Sequence, residues 1–527
     1  MRKRTITSGA VAIAAASAIG IAGTVVAQAQ ETGDQTLADA LDEILSDPRL
    51  TDSQAGVVVA DADTGETVYD HNGDTRIDSG SNIKLTTSAA ALEVLGEDYT
   101  FTTQAITADR PRHGVVYGDL YLRGGGDPTL LQADLEAMAA EIADSGVEVV
   151  VGDLVADDSA FDDERLGTEY GWDDLQYLYA NETAALTVAS GDDYNAGTVR
   201  VFVDPGDGEG DPAQITTVPE ADYVTIDNQI TTGEAGSDTS VAINRDDHEN
   251  TIRLTGTIAA DSGGTYGTRA VIDPALLAAD VFENALEAEG VYVTGDLRGG
   301  TAPEEDGRTV AEHHSAPLSE LTVDLLKPSN ASMANALFKT IGYELSGEGT
   351  WATGKAGVYQ GIEKYGVDTG PVRQVDGSGV SRHNLVTPTM VTDLLVGAKD
   401  APWFDTWYGA LPIACEDGTI AGRMCDTPAA GNVHAKTGSK TSVSALSGYA
   451  TDADGRELVF SVMLNDYLWW TVKDIEDQIA AAIAGHSQDS TESEFSTFSE
   501  TDEAPEGGLN EDAEPELECT WVEPAVC

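Results

Sequence analysis

Residues 80–96 of the chain read GSNIKLTTSAAALEVLG, a serine followed three positions later by a lysine and then by apolar side chains at helical spacing. We expect a helix to begin at Ser81 and to end at Gly96, since glycine readily adopts the conformation that closes a helix. A spacing of three places the Ser81 hydroxyl and the Lys84 amine on one face of the first turn, within hydrogen-bond reach. The segment therefore predicts a serine nucleophile with a lysine beside it.

Two further short segments extend this pattern. Residues 327–330 read KPSN and residues 436–438 read KTG. The chain has only ten lysines, and three of them are Lys84, Lys327 and Lys436. In a protein with so few cations, we interpret these lysines as retained for function, and an ordinary surface position is the alternative for each of them.

The two serines and two of the lysines supply the proton transfers that acyl transfer to a serine requires. Lys84 can act as general base for Ser81 only when it is neutral, and burial together with a second cation such as Lys436 favours that form. Ser329 would then pass the proton to the leaving amine. The predicted catalytic residues are therefore Ser81, Lys84 and Ser329.

The same segments predict how a substrate is held. The backbone N–H groups of Ser81 and Ser439 would form an oxyanion hole, the second of them on a strand edge along which an extended substrate can lie. Lys436 and Thr437 would hold a substrate carboxylate by charge and by a hydrogen bond. The predicted substrate-binding residues are Lys436, Thr437, Gly438, Ser439 and Asn330.

The bulk composition describes a large and very acidic globular protein. The chain has 527 residues, 41% of them hydrophobic, which is enough for two or three domains with cores of their own. It carries 92 acidic and 28 basic residues, a net charge of -64. A field of that sign repels nucleic acid and anionic lipid, so neither is an expected partner. We interpret the charge as adaptation to high salt, with a specific role in binding as the alternative.

The first residues resemble an export signal. Arg2, Lys3 and Arg4 precede a small and apolar stretch that ends in Ala27-Gln28-Ala29, which has the form of a cleavage site. We expect residues 1–29 to be a signal peptide and the mature protein to be secreted or associated with the cell wall, without stable membrane insertion. A retained membrane anchor is the alternative, although the stretch is barely long enough to span a bilayer.

The four cysteines form two close pairs in the sequence. Cys415 lies ten residues before Cys425, and Cys519 lies eight before Cys527. An oxidising exterior would allow both pairs to close as disulfides, each holding a short loop. A metal site is the competing interpretation, but these spacings are not those of metal ligands and the eight histidines show no ligand pattern.

Both ends of the chain show mixed helix and strand patterns. Residues 55–69 predict a β-hairpin, and residues 443–464 predict another with Asp454-Gly455 in its turn. Residues 436–438 then lie on or beside the strand that enters this second hairpin. A closing helix is expected at about residues 472–484.

The middle of the chain has a different character. From residue 101 to residue 311, short Val- and Thr-rich strands alternate with Gly, Asp and Pro clusters, which predicts inserted β-rich domains. Helical periodicity returns over residues 318–341, with an interruption at Lys327-Pro328 and an expected end at Gly342. Residues 486–527 are rich in Ser, Glu and Pro, and we expect an acidic disordered tail there.

In order and spacing, these segments resemble the D-alanyl-D-alanine carboxypeptidase and endopeptidase family of low-molecular-mass class C penicillin-binding proteins, over roughly residues 55–484. The other stretches that carry the resemblance are GDLYLRGGGDPTL at 118–130, DGSGVSRHN at 376–384, DGT at 417–419 and LSGY at 446–449. AALT at 184–187 and DYNAGTV at 193–199 are similar to the actinobacterial branch of the family.

The resemblance implies an α+β protein with the penicillin-recognising serine transferase fold: an antiparallel sheet covered by helices, plus an all-helical subdomain. The catalytic domain would comprise residues 30–100 and 312–485, and two inserted β-rich domains would occupy residues 101–311. The implied reaction is acylation of Ser81 by the penultimate D-alanine of a peptidoglycan stem peptide, release of the terminal D-alanine, and hydrolysis. The implied partners are stem peptides and β-lactams, and no metal or organic cofactor is required.

Two positions depart from the pattern of this family. Ala331 stands where an asparagine is usual, and Asn335 stands where an acidic residue is usual. Loss of the amide at position 331 should remove a hydrogen bond of about 1 to 3 kcal/mol, roughly a ten- to hundredfold rate penalty. The chain would then be a weakened enzyme, or a non-catalytic wall-associated paralogue. β-Lactamase or esterase activity at the same serine is a third possibility, with no deacylating glutamate identified.

The charge predicts that this protein is stabilised by salt. Self-repulsion among the acidic groups weakens the compact state in dilute solution, and salt screens it. We expect the melting temperature to rise between low and molar sodium chloride, as measured by circular dichroism. Equal melting temperatures in the two solutions would contradict the adaptation to high salt.

Overall fold

The computed structural model describes residues 34–108, 110–303 and 307–488. Its strands are β1 Gln54–Asp61, β2 Thr67–His71, β3 Ile77–Asp78, β4 Thr102–Thr107, β5 Val115–Tyr117, β6 Leu120–Arg123, β7 Val149–Val151, β8 Leu154–Asp157, β9 Thr198–Asp204, β10 Gln214–Val218, β11 Thr225–Gly233, β12 Ser240–Arg245, β13 Thr251–Ala259, β14 Thr265–Ala270, β15 Tyr292–Val293, β16 Leu297–Gly299, β17 Arg308–His314, β18 Leu385–Val386, β19 His434–Lys440, β20 Val443–Thr451 and β21 Glu457–Asn465.

The α-helices are α1 at residues 34–45, α2 Lys84–Leu95, α3 Gln132–Asp144, α4 Pro274–Ala288, α5 Leu318–Leu326, α6 Ala331–Ser346, α7 Trp351–Glu363, α8 Pro388–Ala398, α9 Phe404–Gly409 and α10 Lys473–Gly485. Short 3-10 helices lie at Pro48–Leu50, Gly80–Ile83, Leu178–Ala180 and Gly418–Ile420. The predicted signal peptide, most of the predicted acidic tail and the Cys519–Cys527 pair lie outside the described residues.

A five-stranded antiparallel sheet joins the two ends of the chain. Its order is β19-β20-β21-β1-β2, so the first hairpin pairs with the last strand. The two hairpins predicted from the sequence are confirmed as β1–β2 and β20–β21, and the KTG segment lies on β19, which pairs with β20. The predicted closing helix is confirmed as α10.

The sheet is covered on both faces, which explains why β20 and β21 are buried along nearly their whole length. Leu458, Phe460 and Val462 face a core that includes α1 and α10. Val459 and Met463, at the alternate positions, face a second core that includes α2 and α8. Successive side chains of a strand point to opposite faces of the sheet. A strand that is covered on both faces therefore has mostly apolar residues at consecutive positions.

The helical part contains α2, α5, α6 and α7. The predicted interruption at Lys327-Pro328 is confirmed, because α5 ends at Leu326 and α6 begins at Ala331. The predicted helix end at Gly342 is wrong, because α6 continues to Ser346 and is closed by Gly347. Gly342 instead allows α6 to approach α7, since a Cβ there would lie 2.6 Å from the backbone nitrogen of Gly354.

One pair of strands joins the start of the inserted region to its end. β4 at its start and β17 at its end pair antiparallel, with Thr102 opposite His314, so the sheet runs slightly past the predicted boundary at residue 311. Between them lie the sheet β16-β8-β6-β4-β17 and the three-stranded sheets β15-β7-β5, β10-β9-β14 and β11-β13-β12. The helices α3 and α4 pack on these sheets, an addition to the β-rich region that composition predicts.

One predicted disulfide lies within the described residues. Cys415 and Cys425 are bonded, with their Cα atoms 4.7 Å apart, and they close the loop that precedes β19. Among the described residues, none of the helices combines the length and apolar character needed to cross a bilayer.

Candidate active site

Ser81 and Lys84 meet at the start of α2. Ser81 lies in the 3-10 turn Gly80–Ile83, and Lys84 is the first residue of the α-helix that follows. Lys84 Nζ lies 2.7 Å from Ser81 Oγ and donates to the carbonyl oxygen of Ser378, also at 2.7 Å. The lysine is 1% exposed. The tight turn therefore places a buried amine against the hydroxyl of a partly exposed serine.

Strand β19 packs directly on this turn. A Cβ at Gly438 would lie 2.2 Å from the carbonyl oxygen of Ser79 and 3.1 Å from the backbone nitrogen of Ser81, so only glycine fits here. Asn82 Nδ2 also donates to the carbonyl oxygen of Lys436 at 2.8 Å. The backbone N–H of Ser81 thus lies beside the strand that carries Ser439, an arrangement suited to an oxyanion hole.

Ser329 and Lys436 form the second hydroxyl–amine pair. Ser329 lies between α5 and α6 with a φ of +62°, an uncommon conformation for a residue with a side chain. Lys436 is fully buried, and its Nζ donates to Ser329 Oγ at 2.7 Å and to the carbonyl oxygen of Thr437 at 2.9 Å. The two pairs are linked through the contact between Asn82 and the carbonyl group of Lys436.

Both ends of the Asn330 side-chain amide are hydrogen-bonded within the protein. Its Oδ1 accepts from the backbone N–H of Met333, which caps α6, and its Nδ2 donates to the carbonyl oxygens of Asp193 and Tyr194 at 3.0 and 2.9 Å. Asn330 lines the cleft, but these bonds direct its amide towards the inserted region. Ala331, the first residue of α6, also lines the cleft and has no polar atom to offer there.

A cleft of about 790 Å³ runs between the catalytic domain and the inserted region. Ser81, Lys84, Ser329 and Ser439 line one side of it. The inserted region provides aromatic and acidic side chains on the other side, among them Asp173, Asp174, Tyr177, Tyr179, Asp192, Asp193 and Tyr194. The cleft thus has a nucleophile on one wall and a largely aromatic and acidic surface opposite.

Two predicted residues lie behind the cleft or outside it. Thr437 is nearly buried, and its Oγ1 donates to Thr419 Oγ1 at 2.8 Å. Lys327 does not join the other two lysines of the pattern, because its Nζ bonds the carboxylate of Asp417 and the carbonyl oxygen of Leu411. Its interpretation as a functional lysine stays a prediction: Lys327 follows α5 directly, and its contacts join the end of that helix to the loop that precedes β19.

The structure also shows polar residues around the site that the motifs did not assign. Lys440, two positions after Gly438, lines the cleft, and its Nζ pairs with Asp78 at 2.8 Å and donates to the carbonyl oxygen of Gly379. Burial lowers the pKa of Lys440, and the carboxylate of Asp78 opposes that effect. The sequence analysis also did not assign the Ser378 carbonyl, which accepts from Lys84. The stretch at 376–384 was part of the family resemblance, but every residue has a backbone carbonyl, so the sequence does not show which one acts as an acceptor.

No group of three His, Cys, Asp or Glu side chains in the described parts of the chain is arranged to hold a metal ion.

The D-Ala-D-Ala carboxypeptidase 3 (S13) family matches residues 37–485 of this chain. The chain is 43% identical, over 502 residues, to the D-alanyl-D-alanine carboxypeptidase of Actinomadura sp. (strain R39), which covers 92% of this chain and 90% of that protein. It is 28% identical to the D-alanyl-D-alanine carboxypeptidase DacB of Haemophilus influenzae over 422 residues, 79% of this chain and 86% of the relative.

Solved structures show the same fold. The crystal structure of penicillin binding protein 4 from Haemophilus influenzae superposes with a TM-score of 0.72 at 26% identity, covering 84% of this chain and 97% of that one. A second structure of that protein, complexed with a β-lactam, superposes with a TM-score of 0.68 at 24% identity, with the same coverage of both chains. The α+β fold predicted from the sequence is thereby confirmed.

Lys84 and Lys327 have different contacts, so replacing Lys84 should affect the acylation rate and replacing Lys327 should affect the thermal stability. Lys84→Gln should slow the covalent modification of Ser81 by an acylating serine probe by about a hundredfold or more, since the base is lost. Lys327→Gln should leave that rate near the wild-type value and lower the melting temperature, because Asp417 loses its partner. Mass spectrometry of the Ser81 peptide and thermal unfolding measure the two effects. Equal losses of reactivity in both variants would contradict this assignment.

Proposed function

The chain belongs to the D-Ala-D-Ala carboxypeptidase 3 (S13) family and is a D-Ala-D-Ala carboxypeptidase, and we propose that it removes the terminal D-alanine of peptidoglycan stem peptides through an acyl-enzyme on Ser81. The contact between Lys84 Nζ and Ser81 Oγ carries this proposal. It places a general base on a nucleophile that lines an accessible cleft.

Acylation begins when Ser81 Oγ attacks the carbonyl carbon of the penultimate D-alanine. Lys84, in its neutral form, takes the hydroxyl proton. The negative charge that develops on the carbonyl oxygen is held by the backbone N–H groups of Ser81 and Ser439. Because these donors belong to a turn and a strand packed against each other at Gly438, they need little reorganisation during the reaction.

The tetrahedral species then collapses, and the peptide C–N bond breaks. The leaving amine needs a proton, and Ser329, hydrogen-bonded to Lys436, is placed to relay it. D-alanine leaves, and the rest of the stem peptide stays bound to Ser81 as an ester. Water then attacks this ester, which releases the shortened peptide and restores the serine hydroxyl.

The terminal carboxylate of the substrate needs a positive and hydrogen-bonding subsite. Lys436 and Thr437 on β19 would provide the charge and the hydroxyl, with Thr437 exchanging its bond to Thr419 for one to the substrate carboxylate. Their burial keeps water from screening the interaction, and the acidic opposite wall would repel the carboxylate from other positions in the cleft.

β-Lactams are expected to acylate the same serine, because a strained cyclic amide presents its carbonyl as the D-alanyl peptide does. The β-lactam complex of the Haemophilus influenzae relative is in line with this proposal. Cleavage of cross-linked stem peptides as an endopeptidase is a further proposal, for which the volume of the cleft leaves room. Secretion to the cell wall is proposed from the signal-like residues 1–29.

One observation favours an alternative, a weakly active or non-catalytic wall-associated paralogue. The wall of the cleft has Ala331 where the resemblance implies an asparagine amide, and Asn330 cannot supply that amide because its own is bonded to the inserted region. The remaining contacts, Lys84 with Ser81 and Lys436 with Ser329, are the two hydroxyl–amine pairs that acyl transfer to a serine requires, which is why we favour catalysis.

Fluorescent penicillin should label the wild-type protein covalently, and Ser81→Ala should take up no label. Release of D-alanine from a stem pentapeptide should follow the same pattern, since both depend on the Ser81 hydroxyl. In-gel fluorescence and a D-alanine assay, each at low and at molar salt, provide the measurements. Absence of label on well-folded wild-type protein would favour the non-catalytic alternative, and label without D-alanine release would indicate acylation without turnover.

Ala331→Asn should accelerate acylation about ten- to hundredfold, because it restores one hydrogen bond at the wall of the cleft. Ala331→Leu is the matched control, with a side chain of similar size and no polar atom, and it should not accelerate the reaction. Stopped-flow measurement of penicillin acylation compares the two. A rate for Ala331→Asn at or below the wild-type value would show that the site has repacked around alanine.

A further inference from the structure

Asn335, one turn into α6, is fully buried close behind the active site and bonded at both ends of its amide. Its Oδ1 accepts from the backbone N–H of Gly377 at 3.1 Å, and its Nδ2 donates to the phenol oxygen of Tyr170 at 3.0 Å. It therefore connects three parts of the chain: α6, the loop that contains Ser378, and the inserted region that carries Tyr170.

The orientation of this amide is fixed by its partners. A backbone N–H can only donate, so the Asn335 atom that faces Gly377 must be the oxygen, and the nitrogen must face Tyr170. Tyr170 Oη thus accepts from Asn335 and directs its own proton elsewhere. The other polar neighbours of the phenol are Ser378 Oγ, 3.5 Å away, and the carboxylate of Asp376.

The loop held in this way supplies the acceptor for the catalytic lysine. The carbonyl oxygen of Ser378 receives Lys84 Nζ, and the carbonyl oxygen of Gly377 receives Thr87 Oγ1 at 2.9 Å. The carboxylate of Asp376 accepts from the backbone N–H groups of Ser378 and Gly379. Asn335 adds a further contact to this loop by accepting from the backbone N–H of Gly377.

We propose that Asn335 and Tyr170 are positioning residues for Ser81 acylation: together they hold the backbone at Gly377 and Ser378 so that the Ser378 carbonyl aims Lys84 at Ser81. The inserted region then contributes to the chemistry through Tyr170, without touching the reacting atoms. This inference rests on the proposed function, since it concerns the orientation of the proposed general base.

An amide at position 335 also makes both contacts, to Gly377 and to Tyr170, without adding a charge. A carboxylate there could still accept from Gly377, but it could not donate to Tyr170, and it would add a buried negative charge behind Lys84. Burial raises the pKa of Tyr170 well above its usual value, so the phenol stays neutral and keeps its proton. The charged and titratable groups in contact with this loop are Lys84, Asp376, Tyr170 and Lys440.

Two variants test the proposal. Tyr170→Phe removes one hydroxyl and should lower the acylation rate at saturating penicillin about tenfold, with little change in the half-saturating concentration, because alignment and not binding is lost. Asn335→Asp should move the acidic limb of the pH–rate profile up by about one unit, since the new charge favours the protonated lysine and a higher pH is needed to free the base.

Tyr223→Phe is the matched control, because it removes a phenol of the inserted region that bonds the carbonyl oxygen of Ile272 away from the cleft. It should leave both quantities unchanged. Wild-type rates and pH profiles in both Tyr170→Phe and Asn335→Asp would overturn the proposal, and if Asn335→Asp does not fold, Tyr170→Phe alone decides. A wild-type protein that penicillin does not acylate would instead refute the proposed function, so the two failures are distinguishable.

Discussion

The close approach of β19 to the turn that carries Ser81 is the constraint on which the rest of the site depends. At Gly438 the strand lies so near the turn that no side chain fits between them. This single contact brings the edge of the sheet and the start of α2 together, and with them the nucleophile, both predicted oxyanion donors and Lys436. Asn82 reinforces it by bonding the carbonyl oxygen of Lys436. Main-chain packing, rather than flexible side chains, thus sets the geometry for catalysis.

The inserted region interrupts the catalytic domain in sequence without separating its parts in space. β4 and β17 are paired, so the chain leaves and returns at one point. Lys339 on α6 bonds Asp162 and lies over the ring of Phe161, which anchors the insertion to the helical part. The insertion in turn forms one wall of the cleft and reaches behind the catalytic lysine at Tyr170. The inserted region therefore lines the cleft beside Ser81, and by our proposal it also helps to position Lys84.

The sequence predicted the local features of the fold well and some tertiary roles poorly. The two hairpins, the closing helix and the break before α6 were all visible from periodicity and turn residues. Gly342 was misread as a helix end because a glycine that permits close helix packing looks, in one dimension, like a glycine that ends a helix. The partner of Lys327 could not be predicted from the sequence either, because Asp417 lies ninety residues away.

The sequence by itself determined which chemical groups are present: the spacing in Ser81-x-x-Lys84, the lysine and glycine of the KTG segment, and the alanine at position 331. Spacing within one helical turn is a local property, so the first hydroxyl–amine pair could be predicted directly. Only the tertiary structure decided that Lys436 bonds Ser329, that the backbone carbonyl of residue 378 receives Lys84, and that Tyr170 of the inserted region bonds Asn335. These contacts join residues more than a hundred positions apart, and backbone acceptors look the same for every residue, so neither leaves a pattern that a sequence can show.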